Sequence, residues 1–181
     1  LSLLKIIASH GMGFDIVSKG ELHRAIKAGV NTKKIVYSGV GKTKEEISYA
    51  LNNNILCFNV ESEEELIAIN KQATLMKVIA DISIRVNPDV ETKTHPYIST
   101  GMKENKFGIP YDDAFAIFKK AHKLSSLNIL GIDFHIGSQI MSTAPYLESI
   151  SSVKKLINKL KKANINISHI DVGGGLGVAY K

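Results

Sequence analysis

At 181 residues, 44% hydrophobic and 22% charged, the chain has the make-up of one ordinary domain able to bury a core, which excludes a disordered or collagen-like polymer. A net charge of +6 admits anionic partners, but the lysines sit on helix-like segments without interleaved aromatics and there is no Trp, so no nucleic-acid surface is expected. No apolar run approaches the roughly 18 residues of a membrane span, and the single Cys57 cannot close an internal disulfide, so a reducing cytoplasm is the expected setting.

The chain opens Leu1-Ser2-Leu3-Leu4 with neither an initiator Met nor a signal-peptide pattern, so a longer parent protein is expected. Short runs rich in Ile and Val then predict strands at 14–17, 35–37, 55–58, 82–86, 130–135 and 168–172. The segments between them predict helices at 20–28, 44–52, 63–73, 111–124 and 146–163. Three of these carry a capping-box pattern: Ser18 with Glu21, Thr43 with Glu46, and Ser62 with Glu65. In the last helix Ile150, Val153, Leu156, Ile157 and Leu160 recur at three- and four-residue steps and form one apolar face.

Strand and helix alternating in this way predict parallel βαβ units. The residues alone leave two architectures open, a doubly wound sheet or part of a (β/α)₈ barrel, six strands being too few for a closed barrel of eight. Residues 87–109 read as a long connection without regular structure, and Tyr97, Ile98, Met102, Phe107 and Ile109 within it call for burial.

Four segments suggest chemistry. Gly173-Gly174-Gly175-Leu176-Gly177 follows the last strand, and glycines there let backbone N–H groups cradle a phosphate. Val178 stands where the dinucleotide fingerprint needs a third Gly. Gly39-Val40-Gly41-Lys42-Thr43 resembles the end of a nucleotide-binding P-loop but has Val36 where that motif needs Gly, and Thr43 serves as a helix cap. His135-Ile136-Gly137-Ser138 places an imidazole and a hydroxyl at the end of a parallel strand, where barrel enzymes keep their chemistry. Asp15 and Arg85 are charges within apolar strands, either an inward-facing polar constellation or a structural ion pair. No metal site is expected, since no His or Cys has ligand spacing around it.

Taken in order, Gly13-Phe14-Asp15-Ile16-Val17-Ser18-Lys19-Gly20-Glu21, Tyr37-Ser38-Gly39-Val40-Gly41-Lys42-Thr43, Arg85-Val86-Asn87-Pro88, Thr94-His95-Pro96-Tyr97-Ile98-Ser99-Thr100-Gly101, His135-Ile136-Gly137-Ser138 and the glycine turn resemble the diaminopimelate decarboxylases. These are pyridoxal-phosphate (PLP) enzymes with an alanine-racemase-like barrel, and the resemblance spans residues 1–181 as one partial barrel domain, roughly strands two to seven. It implies a carboxy-lyase that converts meso-2,6-diaminopimelate to L-lysine and CO₂, cytoplasmic and homodimeric. By the same resemblance His135 would stack on the PLP ring. Ser138, Gly173, Gly174 and Gly175 would hold its phosphate, Gly175 most directly. Asp15 would lie beside the cofactor-bearing lysine, with Glu21 near, and Arg85 would face the cofactor side.

The resemblance also places that lysine just upstream of Leu1, and a Glu-Pro-Gly segment and a β-rich domain downstream of Lys181. The piece alone is therefore expected to be inactive, with its two edge strands open to aggregation. A PLP decarboxylase of ornithine- or arginine-type substrates, or a non-catalytic PLP-binding homologue, would share many of these motifs.

Overall fold

In the computed structural model, which describes residues 1–88 and 107–179, strands and helices alternate along the chain. The strands are β1 (Phe14–Ile16), β2 (Ile35–Tyr37), β3 (Cys57–Val60), β4 (Ala80–Asn87), β5 (Ile109–Pro110), β6 (Leu127–Asp133) and β7 (His169–Asp171). The helices are α1 (Ser2–Ser9), α2 (Lys19–Lys27), α3 (Lys44–Asn52), α4 (Glu63–Met76), α5 (Tyr111–His122) and α6 (Ala144–Lys162).

Every expected strand is present, and the differences have local causes. β3 begins at Cys57 and runs on to Val60, past where the apolar run stops, because polar Asn59 is accommodated inside the sheet. β6 begins at Leu127 and ends at Asp133, which leaves His135 just beyond the strand. α1 has no side-chain cap and buries no residue fully, so it lacks the start signal that marks the other early helices. Only Thr43 forms a complete capping box, with Glu46 reaching back to its N–H. Glu21 accepts instead from the Val17 N–H, and Glu65 accepts from the Glu61 N–H. The connection 87–109 ends in regular structure, since Ile109 pairs with Val86 and is buried. Phe107 is 61% exposed, contrary to expectation. The intervening 89–106, with His95, Tyr97, Ile98 and Met102, and also Lys181, lie outside the described residues.

The sheet order is β1-β2-β3-β4-β6-β7, every pair parallel, with β5 added to β4. A doubly wound sheet reverses direction at a switch point, and this order never does. Right-handed crossovers wound in one direction carry their helices on one side, and α2 packs on α3, α3 on α4 and α5 on α6. The architecture is a partial (β/α)₈ barrel, with β1 and β7 at its edges.

The core lies between strands and helices. Tyr37 stacks on Phe58 at 6.0 Å between ring centres. Around them Ile82, Ile84, Ile132, Leu66 and Phe118 are fully buried. Because side chains alternate across a strand, the residues between these apolar ones, Asn59, Ser83, Arg85 and Asp133, face the other way, into the barrel lumen. Among the described residues no helix is long and apolar enough to cross a membrane.

Two substitutions calibrate these contributions. Thr43→Ala removes the capping box of α3 and should cost about 1 kcal/mol. Phe118→Ala opens a cavity under α5 and should cost about 3–5 kcal/mol. Denaturant unfolding of the two variants beside the parent chain measures both.

Candidate active site

At the C-terminal end of the sheet the lumen opens as a cleft of about 430 Å³. Its walls draw on five strands: Asp15 from β1, Asn59 from β3, Arg85 from β4, Asp133 from β6 and Asp171 from β7. Register explains the gathering. Arg85 lies opposite Asp133, and Asp133 opposite Asp171, so three charged side chains share one level and one face.

Arg85 does not pair with Asp15. Its Nη1 donates to both oxygens of Glu61, at 2.7 and 2.8 Å, and its Nε stands 4.0 Å from Asp133 Oδ2. Asp15 Oδ1 accepts from Ser38 Oγ at 2.7 Å. Asn59 Nδ2 donates to Ser38 Oγ at 3.1 Å and, across the lumen, to Asp171 Oδ2 at 3.2 Å. Asp15 and Arg85 thus both line the cleft without pairing with each other, and the ion pair that Arg85 makes is with Glu61.

The floor holds more carboxylates than cations, and their proton affinities follow. Burial pushes Asp133 well above its ordinary 3.8, the Arg85 charge opposes, and Asp171 and Glu61 reinforce the rise. Burial also raises Asp15, against the Ser38 hydrogen bond. Asn59 Oδ1 and Asp133 Oδ1 are buried without a hydrogen-bond partner among the described residues.

The rim is built by the loops after β6 and β7, which are laced together. Ile140 N donates to Gly175 O at 2.9 Å and Gly177 N to Ile140 O at 3.0 Å. At Gly175, with φ +92°, an added Cβ would overlap the Gly137 carbonyl oxygen. At Gly173, with φ +68°, it would stand 2.7 Å from the Phe134 oxygen. Gly173 N donates to Asp171 Oδ1 at 2.8 Å, and Gly174 N to His135 Nδ1 at 3.3 Å. The second bond makes Nδ1 the acceptor and leaves the proton on Nε2. Partial burial first, and the Arg85 charge second, hold His135 below its ordinary 6.5, so the ring is neutral.

Of the residues singled out from sequence, Asp15, Arg85, His135, Gly173 and Gly174 line one cleft. Ser138 and Gly175 are not among its lining residues; Gly175 lies where the two loops are laced. Glu21 lies away from the cleft in the first turn of α2, where its N–H donates to the Ser18 cap and its carboxylate accepts from the Val17 N–H. Sequence reasoning passed over Ser38, Asn59, Glu61, Asp133 and Asp171. Their signal was there: in Phe58-Asn59-Val60-Glu61 and Ile132-Asp133-Phe134-His135 polar and apolar residues alternate as each strand ends.

The residues fit a flat, phosphorylated cofactor. The glycine turn is a cradle that side chains would fill, an imidazole is fixed at the rim, and two buried acceptors on the floor want donors. A one-way parallel barrel with a backbone anion cradle after a late strand has the layout of the phosphate-binding barrel enzymes. Over residues 1–181 the chain matches the family described as pyridoxal-dependent decarboxylase, pyridoxal binding domain, and it belongs to that family. It is 52% identical over 181 residues to the diaminopimelate decarboxylase of Vibrio cholerae serotype O1, covering 100% of this chain and 43% of that one. To the Pseudomonas aeruginosa enzyme of the same name it is 49% identical, covering 100% and 44%. The crystal structure of diaminopimelate decarboxylase from Helicobacter pylori complexed with L-lysine superposes with a TM-score of 0.94 at 46% identity, covering 99% of this chain and 46% of that one. The chain thus spans somewhat under half the length of these relatives.

Two tests follow from the geometry. No atom lies within 4 Å of a Cβ added at Gly174, so Gly174→Ala should melt with the parent chain, whereas Gly175→Ala should melt lower. The folded chain favours neutral Asp133, so this group supports folding below 3.8 and costs stability as pH rises through its raised value. Asp133→Asn should therefore raise the melting temperature at neutral pH, and the gain should shrink on acidification.

Proposed function

We propose that this chain is the cofactor-binding part of a PLP-dependent decarboxylase that converts meso-2,6-diaminopimelate to L-lysine and CO₂. The observation that carries the reading is the glycine turn laced to the His135 loop over a carboxylate-lined cleft, in a chain about half identical to diaminopimelate decarboxylases throughout.

When bound, pyridoxal phosphate would supply the electron sink that decarboxylation at the α-carbon needs. The chain's own residues bind and orient. Backbone N–H groups of the glycine turn, Gly175 foremost because Gly173 and Gly174 already donate within the chain, would hold the phosphate together with the Ser138 hydroxyl. His135, steered by the Gly174 N–H and held below its ordinary proton affinity by partial burial and the Arg85 charge, would lay its ring against the cofactor ring. Asp15, steadied by Ser38, would lie beside the cofactor-bearing lysine and offer its carboxyl group there. Arg85, anchored on Glu61, presents a cation to the cofactor side. The surplus of floor carboxylates favours amino-bearing substrates.

Cys57 is fully buried and its thiol is pushed up to about 12, chiefly by burial, which suits an unreactive thiol in a reducing cytoplasm. A homodimer completes the reading, on the strength of the family resemblance.

The test uses the full-length protein with PLP. Release of CO₂ and L-lysine from meso-diaminopimelate, with none from ornithine or arginine, is the expected result. Turnover of ornithine instead would move the substrate. Failure to bind PLP would overturn the reading. His135→Ala should weaken PLP binding by about tenfold, on the scale of one lost ring contact, measured by absorbance titration.

A further inference from the structure

Lys42 has a setting that the cleft chemistry leaves unexplained. It follows a glycine-bearing loop, yet its side chain is only 1% exposed. Its Nζ donates to Gly39 O at 2.7 Å, to Asn59 O at 2.8 Å and to Glu65 Oε1 at 2.6 Å. An ammonium has three donors, and all three are used. The Tyr37 ring faces it at 5.7 Å. Burying a lysine is costly unless it is paired and fully bonded, as this one is. Capping does not require it, because Thr43 and Glu46 cap α3 between themselves. It does not line the cleft.

What Lys42 grips leads to the cleft by two routes that meet at Glu61. Glu65 offers its other oxygen to the Glu61 N–H at 2.9 Å, which fixes the backbone of Glu61. Gly39 donates its N–H to Glu61 Oε1 at 3.2 Å, which fixes the carboxylate. That carboxylate takes both of its short bonds from Arg85 Nη1. Without the Lys42 charge, Glu65 would stand buried next to Glu61 with no cation, and burial already raises its proton affinity against the opposing pull of Lys42.

We propose that Lys42 is a positioning residue of this site: through Glu65 and Gly39 it sets the Glu61 carboxylate, which aims the Arg85 guanidinium into the cleft. The proposal rests on Arg85 being a cleft cation of the PLP site, as read above.

The test is a background comparison in the full-length protein. The double variant Lys42→Met/Glu65→Gln removes both buried charges together and keeps their shapes. Lys42→Arg keeps the charge but cannot gather three bonds on one nitrogen. Each is made in the parent and in an Arg85→Met background, with circular dichroism and melting to identify the folded proteins. PLP affinity is read by absorbance titration, and kcat/KM with meso-diaminopimelate. In the parent background either change should lower at least one of the two quantities by about tenfold, and by less than about twofold when Arg85 is already Met, as coupling through one shared partner requires. Equal losses in both backgrounds, or none in either, would overturn the proposal. If neither variant folds, Lys42 is a structural residue and the proposal falls. A parent protein that takes up no PLP would instead overturn the reading of the site.

Discussion

Glu61 and Arg85 meet inside a barrel lumen, with both carboxylate oxygens closing on a single guanidinium nitrogen. Charges that deep are stable only when they are paired and fully bonded. With the guanidinium committed to Glu61, Asp133 has only its distant Nε, and burial then favours the protonated carboxyl. Asp171, one strand further, turns to Asn59 and to the backbone N–H of Gly173. That last bond fixes the start of the glycine turn, and the next residue in the turn orients His135. The order of partners runs from one buried ion pair to the rim of the cleft.

The outcome is a site with two opposed ends. The rim offers backbone N–H groups and a neutral imidazole, an environment for an anion and a flat ring. The floor offers carboxylates and an unpartnered amide oxygen, an environment for donors and positive charge. A ligand with a phosphate at one end and amino nitrogens at the other satisfies both without change to either. Side chains from five strands share this work, so no single loop defines the site.

Much of this was legible from residue order alone, for definite reasons. The strands announced themselves because parallel strands buried on their helix side carry Ile and Val in runs, and the helices because Ser18, Thr43 and Ser62 mark their starts. The glycine turn and the His135 loop stood out because each combines unusual residues in a short span. What escaped notice was pairwise: that Arg85 would choose Glu61 over Asp15, that Glu65 would leave its cap for Lys42, and that Asn59 would bridge to Asp171. Partners far apart in sequence are selected by register and by which side of a strand each residue faces, and neither is settled until the sheet is assembled. Lys42 shows the same limit: a glycine-flanked lysine suggests a phosphate ligand, and only its three protein acceptors reveal another task.

The strand order has a consequence for how the chain reaches this state. Each strand pairs with the strand next to it in sequence, apart from the short β5 excursion, so the sheet is assembled from closures of modest loop length. Growth of this kind resembles the nearest-neighbour propagation of a repeat protein, in which a started end templates the following unit. The Asn59–Asp171 hydrogen bond is of another kind, spanning 112 residues. It forms only when β7 has docked, because until then the Asp171 carboxylate is not held over the lumen. The bridge across the floor therefore waits on β7, and so does the glycine turn that Asp171 holds: this part of the cleft is braced only when β3 and β7 are both in place.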